Sequence, residues 1–91
     1  MASIQVETTP NPNSLKFTTQ DGSFLRSGIV AMTSHEEADR HELGERLFSI
    51  GGVDDVFITP DFVTVSKTPS TDWSDVKEDI ESELSDYLKG S

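Results

Sequence analysis

Residues 43–67 constrain the fold most, because a helical pattern there gives way to two alternating apolar runs. Apolar residues at helical spacing continue to Ile50, and two adjacent glycines then end the pattern. We expect Gly51 or Gly52 to supply the left-handed residue that closes a helix. The apolar runs on either side of residues 59–61 predict a β-hairpin.

The hairpin pattern also predicts which side chains face the core. A two-residue loop of Pro60 and Asp61 and a four-residue loop of residues 59–62 both place Ile58 opposite Val63. Proline cannot adopt the positive φ that the favoured two-residue turns require, and the four-residue loop removes this conflict. Both loops predict the same core face, made of Val56, Ile58, Val63 and Val65.

Alternating polar and apolar residues predict strands at residues 4–8 and 15–18, and a short strand near residues 29–31. Two prolines lie in the intervening segment 9–14, where they remove amide donors and disfavour helix for the residues before them. The neighbouring Asn and Ser side chains can bond nearby backbone amides, so we expect a defined loop there.

Two helices are predicted. The first has two candidate starts, a capping box of Ser34 and Glu37 and an N-cap at Asp39, and its packed part is expected to begin near residues 39–41. The second helix is predicted at residues 72–88. Its apolar residues share one stripe, and they are Trp73, Val76, Ile80, Leu84, Tyr87 and Leu88.

The predicted element order is therefore β-β-(β)-α-β-β-α. Two amphipathic helices need a sheet to cover, which predicts an α+β fold. We expect a two-layer sandwich, with a mostly antiparallel sheet and both helices on one of its faces. A chain of 91 residues is expected to form a single domain, residues 1–91.

Composition narrows the classes of function. The chain has 7 Lys and Arg residues against 17 Asp and Glu residues, a net charge of -10. Nucleic acids and anionic membranes need cationic contacts, so we expect neither as a partner. The absence of Cys excludes disulfides, thiol catalysis and thiolate-bound zinc or iron–sulfur clusters on this chain. No transmembrane run or signal segment is apparent, so a cytoplasmic location is expected.

Three stretches resemble the N-terminal domain of Nfu/NifU-type iron–sulfur scaffold proteins, and they cover most of the chain outside residues 20–41. They are T-P-N-P-N-S-L-K-F at residues 9–17, L-F-x-I-x-G-V-x-x-V-F at residues 47–57, and P-D-F-V-T-V-x-K at residues 60–67. A weaker fourth similarity is the pair Asp72 and Trp73, which opens the last helix.

In that family the cluster ligands lie in a separate C-terminal domain, as a C-x-x-C pair, whereas this chain has no Cys. The resemblance therefore implies a stand-alone, non-enzymatic accessory module of iron–sulfur cluster assembly or delivery. The implied partners are iron–sulfur scaffold, carrier or client proteins, with iron or an iron–sulfur cluster present only through such a partner. The alternative is a generic acidic α+β interaction or regulatory module unrelated to iron–sulfur biogenesis.

Two surfaces are predicted to contact a partner. Residues 9–17 form a rigid segment that displays carbonyls and amide side chains, and its alternative role is a structural loop bonded to its own backbone. An aromatic pair lies on the sheet face away from the helices, unless a hairpin or loop covers it. The residues predicted to bind are Thr9, Asn11, Pro12, Asn13, Ser14, Phe17, Phe57 and Phe62.

Other functions have less support. Glu37, His41 and Glu45 have i, i+4 spacing that suits weak binding of iron or another metal ion, but such flanks are usually solvated and no metal site is assigned. No phosphate-binding glycine motif or nucleophile–base pair is indicated, so we expect no enzyme activity. The acidic outer face of the second helix either docks a basic partner or is simply solvated. Its residues are Asp75, Glu78, Asp79, Ser82, Glu83 and Asp86.

Overall fold

A computed structural model describes residues 4–20, 22–25, 27–33 and 41–90 of the protein. Within these residues the strands and helices follow the predicted order. They are β1 (Ile4–Thr8), β2 (Ser14–Thr19), β3 (Val30–Met32), α1 (Glu42–Phe48), β4 (Val53–Ile58), β5 (Phe62–Lys67) and α2 (Trp73–Gly90). The short strand predicted near residues 29–31 is therefore present, one residue later than expected.

The five strands form one antiparallel sheet in the order β1-β2-β5-β4-β3. β4 and β5 form the predicted hairpin, with Val56 opposite Val65 and Ile58 opposite Val63. Side chains alternate between the two faces of a strand, so this register puts all four residues on one face, where each is fully buried. The predicted fold class and the predicted hairpin register are thus confirmed.

The hairpin loop avoids the turn that Pro60 cannot form. No described non-glycine residue has a positive φ, which excludes the favoured two-residue turns and agrees with the longer loop. The Thr59 N–H donates to the Phe62 carbonyl (2.8 Å), and the Phe62 N–H donates to Thr59 Oγ1 (3.1 Å). A side-chain oxygen therefore closes the loop where a backbone carbonyl would close a tighter turn.

The N-cap of α1 is His41, so the packed part of this helix begins where it was expected, near residues 39–41. Its Nδ1 accepts a hydrogen bond from the Leu43 N–H (3.1 Å). An imidazole nitrogen thus satisfies one of the amides that a helix N-terminus leaves unpaired. The capping box of Ser34 and Glu37 and the candidate Asp39 lie outside the described residues.

The positive-φ glycine lies beyond the end of α1. The helix ends at Phe48, with Ser49 as its C-cap in a right-handed conformation. The Val53 N–H then donates to the Ile50 carbonyl (3.3 Å), and Gly52 has φ +102° inside this turn. The prediction that a glycine closes the helix is corrected, because Gly52 serves the turn into β4.

Both helices pack on one face of the sheet, and the core lies between the two layers. The helices contribute Leu43, Leu47, Phe48, Val76, Ile80 and Leu84 to this core. The ends of the predicted α2 stripe are only partly buried, at Trp73, Tyr87 and Leu88. Phe24, from a stretch without a clear period, is also fully buried. Neither described helix is both long enough and apolar enough to cross a bilayer.

Neither described helix covers the opposite face of the sheet, which we call the open face. Strand alternation assigns residues to it, and those on the four longer strands include Gln5, Glu7, Lys16, Thr18, Phe57, Phe62, Thr64 and Ser66. All of these are exposed or half-buried. Among the described residues, this side of the sheet therefore has no helix packed over it.

Candidate partner-binding surface

The loop of residues 9–13 is held by hydrogen bonds of its own side chains. Thr9 Oγ1 donates to the Asn11 carbonyl (2.9 Å) and accepts from the Asn11 N–H (3.2 Å). Asn11 Oδ1 accepts from the Asn13 N–H (2.9 Å), and the Ser14 N–H donates to the Asn11 carbonyl (3.0 Å). The loop is therefore well defined, and the side-chain oxygens of Thr9 and Asn11 serve its backbone.

The same loop is anchored to two distant elements. The Asn13 carbonyl accepts from the Lys67 N–H (2.8 Å), and Asn13 Oδ1 accepts from Lys67 Nζ (3.0 Å). The Trp73 indole N–H donates to the Pro12 carbonyl (3.1 Å), and Lys67 Nζ lies 5.8 Å from the Trp73 ring centroid. These contacts join the loop to the end of β5 and the start of α2. Lys67 and Trp73 are thus part of the loop's support.

Two of the predicted contact residues are corrected, because they do not present a surface. Phe17 is 0% exposed, opposite Val6 on β1 and Val63 on β5, so it belongs to the core. Ser14 is 8% exposed, and its Oγ lies 2.6 Å from Ser66 Oγ. The exposed part of the loop is formed by Pro10, Asn11 and Pro12.

Replacing Asn11 with alanine is expected to lower the free energy of unfolding by about 1 kcal/mol, because the Asn13 N–H loses its acceptor. Urea denaturation followed by circular dichroism measures this change. Asn11→Asp keeps an oxygen at the same place and is the matched control, with a smaller expected loss. An equal loss in both variants would mean that the amide group, and not the acceptor, holds the loop.

Phe57 and Phe62 lie on the open face, as predicted. Both are half-buried, and their ring centroids are 6.2 Å apart. The Lys16 ammonium lies 4.7 Å from the Phe62 ring centroid, a distance typical of a cation–π contact. Within the described part of the chain, no helix packs over this pair. The rings and the ammonium group can therefore be reached by another protein.

Two more apolar residues extend the aromatic pair to the edge of the sheet. Ala31 is exposed and lies opposite Phe57 on β3. Ile29, two residues earlier at the same edge, is 65% exposed and is a large apolar side chain. We call Ile29, Ala31, Phe57 and Phe62 the hydrophobic corner. Sequence patterns missed the first two residues, which could have been assigned from β3 once its pairing with β4 was known.

The predicted contact residues form two surfaces and do not form a single site. The loop of residues 9–13 bonds to Lys67, the last residue of β5, whereas Phe62 is the first residue of that strand. Phe62 and Lys67 are five positions apart along β5, which is about 17 Å at ~3.4 Å per residue. A partner that contacts both surfaces must therefore follow the length of β5.

The described donor groups do not fit an iron–sulfur cluster. The sequence has no Cys, and these clusters are held mainly by Cys thiolates. His41 Nδ1 already accepts from the Leu43 N–H, and Glu37 lies outside the described residues. Among the residues that the structure describes, no three His, Cys, Asp or Glu side chains are grouped to hold a metal ion.

The family model and the related sequences all indicate the same protein family. The family model for the "Scaffold protein Nfu/NifU N terminal" matches residues 4–91. The human "NFU1 iron-sulfur cluster scaffold homolog, mitochondrial" is 40% identical over 86 residues, and a NifU-like protein of Schizosaccharomyces pombe is 35% identical over 95 residues. Each alignment covers 93% of this chain but only 34% and 33% of those proteins. The chain thus spans about a third of their length.

Solved structures share the fold. The solution structure of a NifU-like protein from Saccharomyces cerevisiae superposes with a TM-score of 0.87 at 28% identity, covering 99% of this chain and 81% of that one. The crystal structure of a Staphylococcus aureus protein gives a TM-score of 0.75 at 23% identity, covering 90% of this chain and 98% of that one. At 23% identity, the similarity to the Staphylococcus aureus protein shows a shared fold and nothing more.

Proposed function

The chain belongs to the Nfu/NifU N-terminal family, and on this basis we propose that it is a non-enzymatic, protein-binding module of iron–sulfur cluster assembly or delivery. Its partners would be iron–sulfur scaffold, carrier or client proteins. Iron, or an iron–sulfur cluster, would be cargo held by those partners. The observation that carries this proposal is a scaffold-family match over residues 4–91 in a chain that has no Cys.

Two features support a role based on protein contacts. The loop of residues 9–13 is rigid before any partner arrives, so little conformational entropy is lost on binding. The open face carries the half-buried pair Phe57 and Phe62. Aromatic side chains are enriched among the residues that contribute most of the binding free energy at protein interfaces. Neither feature supplies a nucleophile or a general base.

Capture of purified iron–sulfur assembly proteins by the immobilised chain tests this function. We expect a C-x-x-C scaffold protein to be retained, and we expect Asn11→Ala with Asn13→Ala to weaken retention about fivefold or more, a loss near 1 kcal/mol. Glu78→Gln with Asp79→Asn, on the outer face of α2, is the control and should retain the scaffold normally. Retention of no iron–sulfur protein at all would support the alternative of a general acidic interaction module.

Cluster reconstitution tests independently whether an iron–sulfur cluster is held by the partners and not by this chain. Incubation of the purified chain with iron, sulfide and reductant should leave it colourless after desalting, because it offers no thiolate. The same treatment of a C-x-x-C scaffold protein is the positive control. A stable coloured cluster on this chain alone would overturn the assignment.

We also propose a cytoplasmic location for this chain. The human and Drosophila relatives carry "mitochondrial" in their names, which describes those proteins. Cell fractionation with an antibody to the chain distinguishes the two compartments. Recovery in a membrane-enclosed compartment would overturn the cytoplasmic location and leave the protein-binding role untouched.

A further inference from the structure

Resting on the function proposed above, we propose that the outer edge of β1 binds an extended segment of the partner protein, which adds to the sheet as a further strand. Backbone hydrogen bonds to β1 hold that segment. Its side chains alternate, with apolar residues on the helix side of the sheet and a basic residue beside Glu7 on the open face. The direction of the backbone groups of β1 carries this assignment.

The hydrogen bonds of β2 show which of its residues face β1. The Lys67 N–H donates to the Asn13 carbonyl (2.8 Å), just outside the first residue pair of the β2–β5 ladder. Hydrogen-bonded and non-hydrogen-bonded pairs alternate in an antiparallel ladder, so every second residue of β2 from Leu15 onward bonds to β5. Lys16 and Thr18 therefore direct their N–H and C=O groups to β1.

The same alternation determines the directions in β1. Glu7 and Gln5 lie opposite the two residues of β2 that face β1, so their backbone groups bond to β2. Ile4, Val6 and Thr8 direct their N–H and C=O groups to the outer edge. Among the described residues, none of these three bonds to a further backbone group. The edge thus presents donors and acceptors at the spacing of a strand.

β1 lacks the features that usually keep a sheet edge from pairing. It contains no Pro, Gly or Lys, and its pairing with β2 continues over all 5 residues without a bulge. The other edge strand, β3, has only 3 residues and offers less backbone to a partner. α2 packs on the core face of β1, yet Ile4 and Val6 are only half-buried. A strand added beside them would increase their burial.

Charge on the open face favours a basic segment. Glu7 is exposed and is the one charged residue of β1. Lys16 lies opposite Glu7 on β2, but its side chain extends away from the edge to β5, where the ammonium group is 4.7 Å from the Phe62 ring centroid. The ion pairs of the described residues do not include Lys16 with Glu7. The total charge of -10 also attracts a basic segment and repels a second copy of this chain.

On the helix side, the local charges offset each other. Arg46 of α1 lies 3.5 Å from Glu83, so this side of α2 faces α1. At about 100° per residue, Glu81 and Lys77 lie on the opposite flank, above the edge of β1. They carry one charge of each sign. This side therefore favours apolar residues of the segment, beside the half-buried residues of β1.

The test is a titration of the isotopically labelled full chain with the blocked peptide Val-Lys-Val-Lys-Val, followed by NMR. We expect amide hydrogen exchange at Ile4, Val6 and Thr8 to slow severalfold, because these N–H groups gain acceptors. The amides of Gln5 and Glu7 already bond to β2, so their exchange rates should change less than about twofold. Uniform protection of all five amides, or no change along β1, would overturn the proposal.

Two N-methylated peptides distinguish strand addition from side-chain docking. Only alternate N–H groups of an added strand face β1. In an antiparallel strand these include the central Val, so a methyl group on that nitrogen should raise the Kd about tenfold or more. A methyl group on the neighbouring Lys nitrogen should change the Kd less than about twofold. The reverse order would indicate a parallel strand and support the edge, whereas an equal Kd for both peptides would overturn it.

The contribution of charge is tested with the peptide Val-Glu-Val-Glu-Val and a charge-reversal variant. Wild type should bind the Lys peptide severalfold more tightly, with a smaller difference at ~300 than at ~50 mM NaCl. Glu7→Lys should reduce this preference to less than about twofold. Glu78→Lys makes the same charge change on the exposed outer face of α2 and should keep the preference. Melting curves establish that each variant is folded. An equal reduction in both variants would mean that net charge selects the peptide, and the proposal would fail.

The variant Val6→Pro separates the edge from the proposed function. It removes the central outward N–H without removing a hydrogen bond to β2, and it should lose both peptide binding and capture of a C-x-x-C scaffold protein. Capture equal to wild type would overturn the proposal and leave the proposed function standing. Peptide binding without capture of any iron–sulfur protein would support the edge and count against the function. Sedimentation that shows a dimer abolished by Val6→Pro would assign the edge to a second copy and overturn the proposal.

Discussion

Replacing Gly52 with alanine is expected to lower the free energy of unfolding by about 2–4 kcal/mol, because backbone strain and a steric clash act at the same position. Gly52 has φ +102°, a conformation that L side chains rarely adopt. A Cβ there would lie 2.7 Å from both Cγ2 and Oγ1 of Thr71. Gly52 also accepts a hydrogen bond from the Thr68 N–H (2.9 Å), so the strain would reach the link between β5 and α2.

Gly51, the glycine directly before Gly52, provides the matched control. A Cβ at Gly51 would meet nothing within 4 Å, and its φ is not positive. Gly51→Ala is therefore expected to change the stability by less than about 1 kcal/mol, in either direction. Urea denaturation of the two variants in parallel measures the difference. Equal stabilities would show that the turn between α1 and β4 differs from the one described.

Replacing Phe17 with alanine is expected to lower the free energy of unfolding by about 3–5 kcal/mol, because removal of a buried aromatic ring leaves a cavity that the sheet cannot close. Phe17 is 0% exposed, and its neighbours across the sheet are Val6 and Val63. A domain of this size has a total stability of roughly 5–14 kcal/mol, so the variant would be close to unfolding if the wild type lies at the lower end of this range. Thermal denaturation measures the loss.

Phe57→Ala is the same chemical change on the open face. Phe57 is half-buried and contacts Phe62, so we expect a loss of about 1 kcal/mol and a folded variant. Binding assays should separate the two variants further, because Phe57→Ala loses partner affinity while folded and Phe17→Ala loses it by unfolding. A Phe17→Ala protein as stable as Phe57→Ala would contradict the placement of β2 between β1 and β5.

Local sequence patterns were sufficient to predict the structure where strand alternation alone determined it. The hairpin register followed from alternation, because a shift of one residue would have moved Ile58 out of the core. Phe17 alternates with Leu15 along β2 and lies in the core, yet its position inside the T-P-N-P-N-S-L-K-F stretch placed it in the predicted contact set. Membership in a recognisable motif did not distinguish an exposed loop residue from a buried core residue.

Long-range contacts were not predictable in this way. Lys67 Nζ reaches Asn13 across 54 residues of sequence, and the Trp73 indole reaches Pro12 across 61. No period or spacing relates such positions, because their meeting depends on how β5 and α2 return to the first hairpin. The hydrophobic corner likewise needed the pairing of β3 with β4, which brings Ala31 beside Phe57.

By itself, the sequence determined the order of the elements, the core side of the β4–β5 hairpin and the apolar stripe of α2. Each of these depends on the spacing of apolar residues along the chain. Residues that are buried on one face of a strand or helix must recur with the period of that element. Only the tertiary structure decided that the loop of residues 9–13 is clamped by Lys67 and Trp73, and that the predicted contact residues divide between the two ends of β5. These features arise from packing between distant segments, and that packing exists only once the whole sheet has formed.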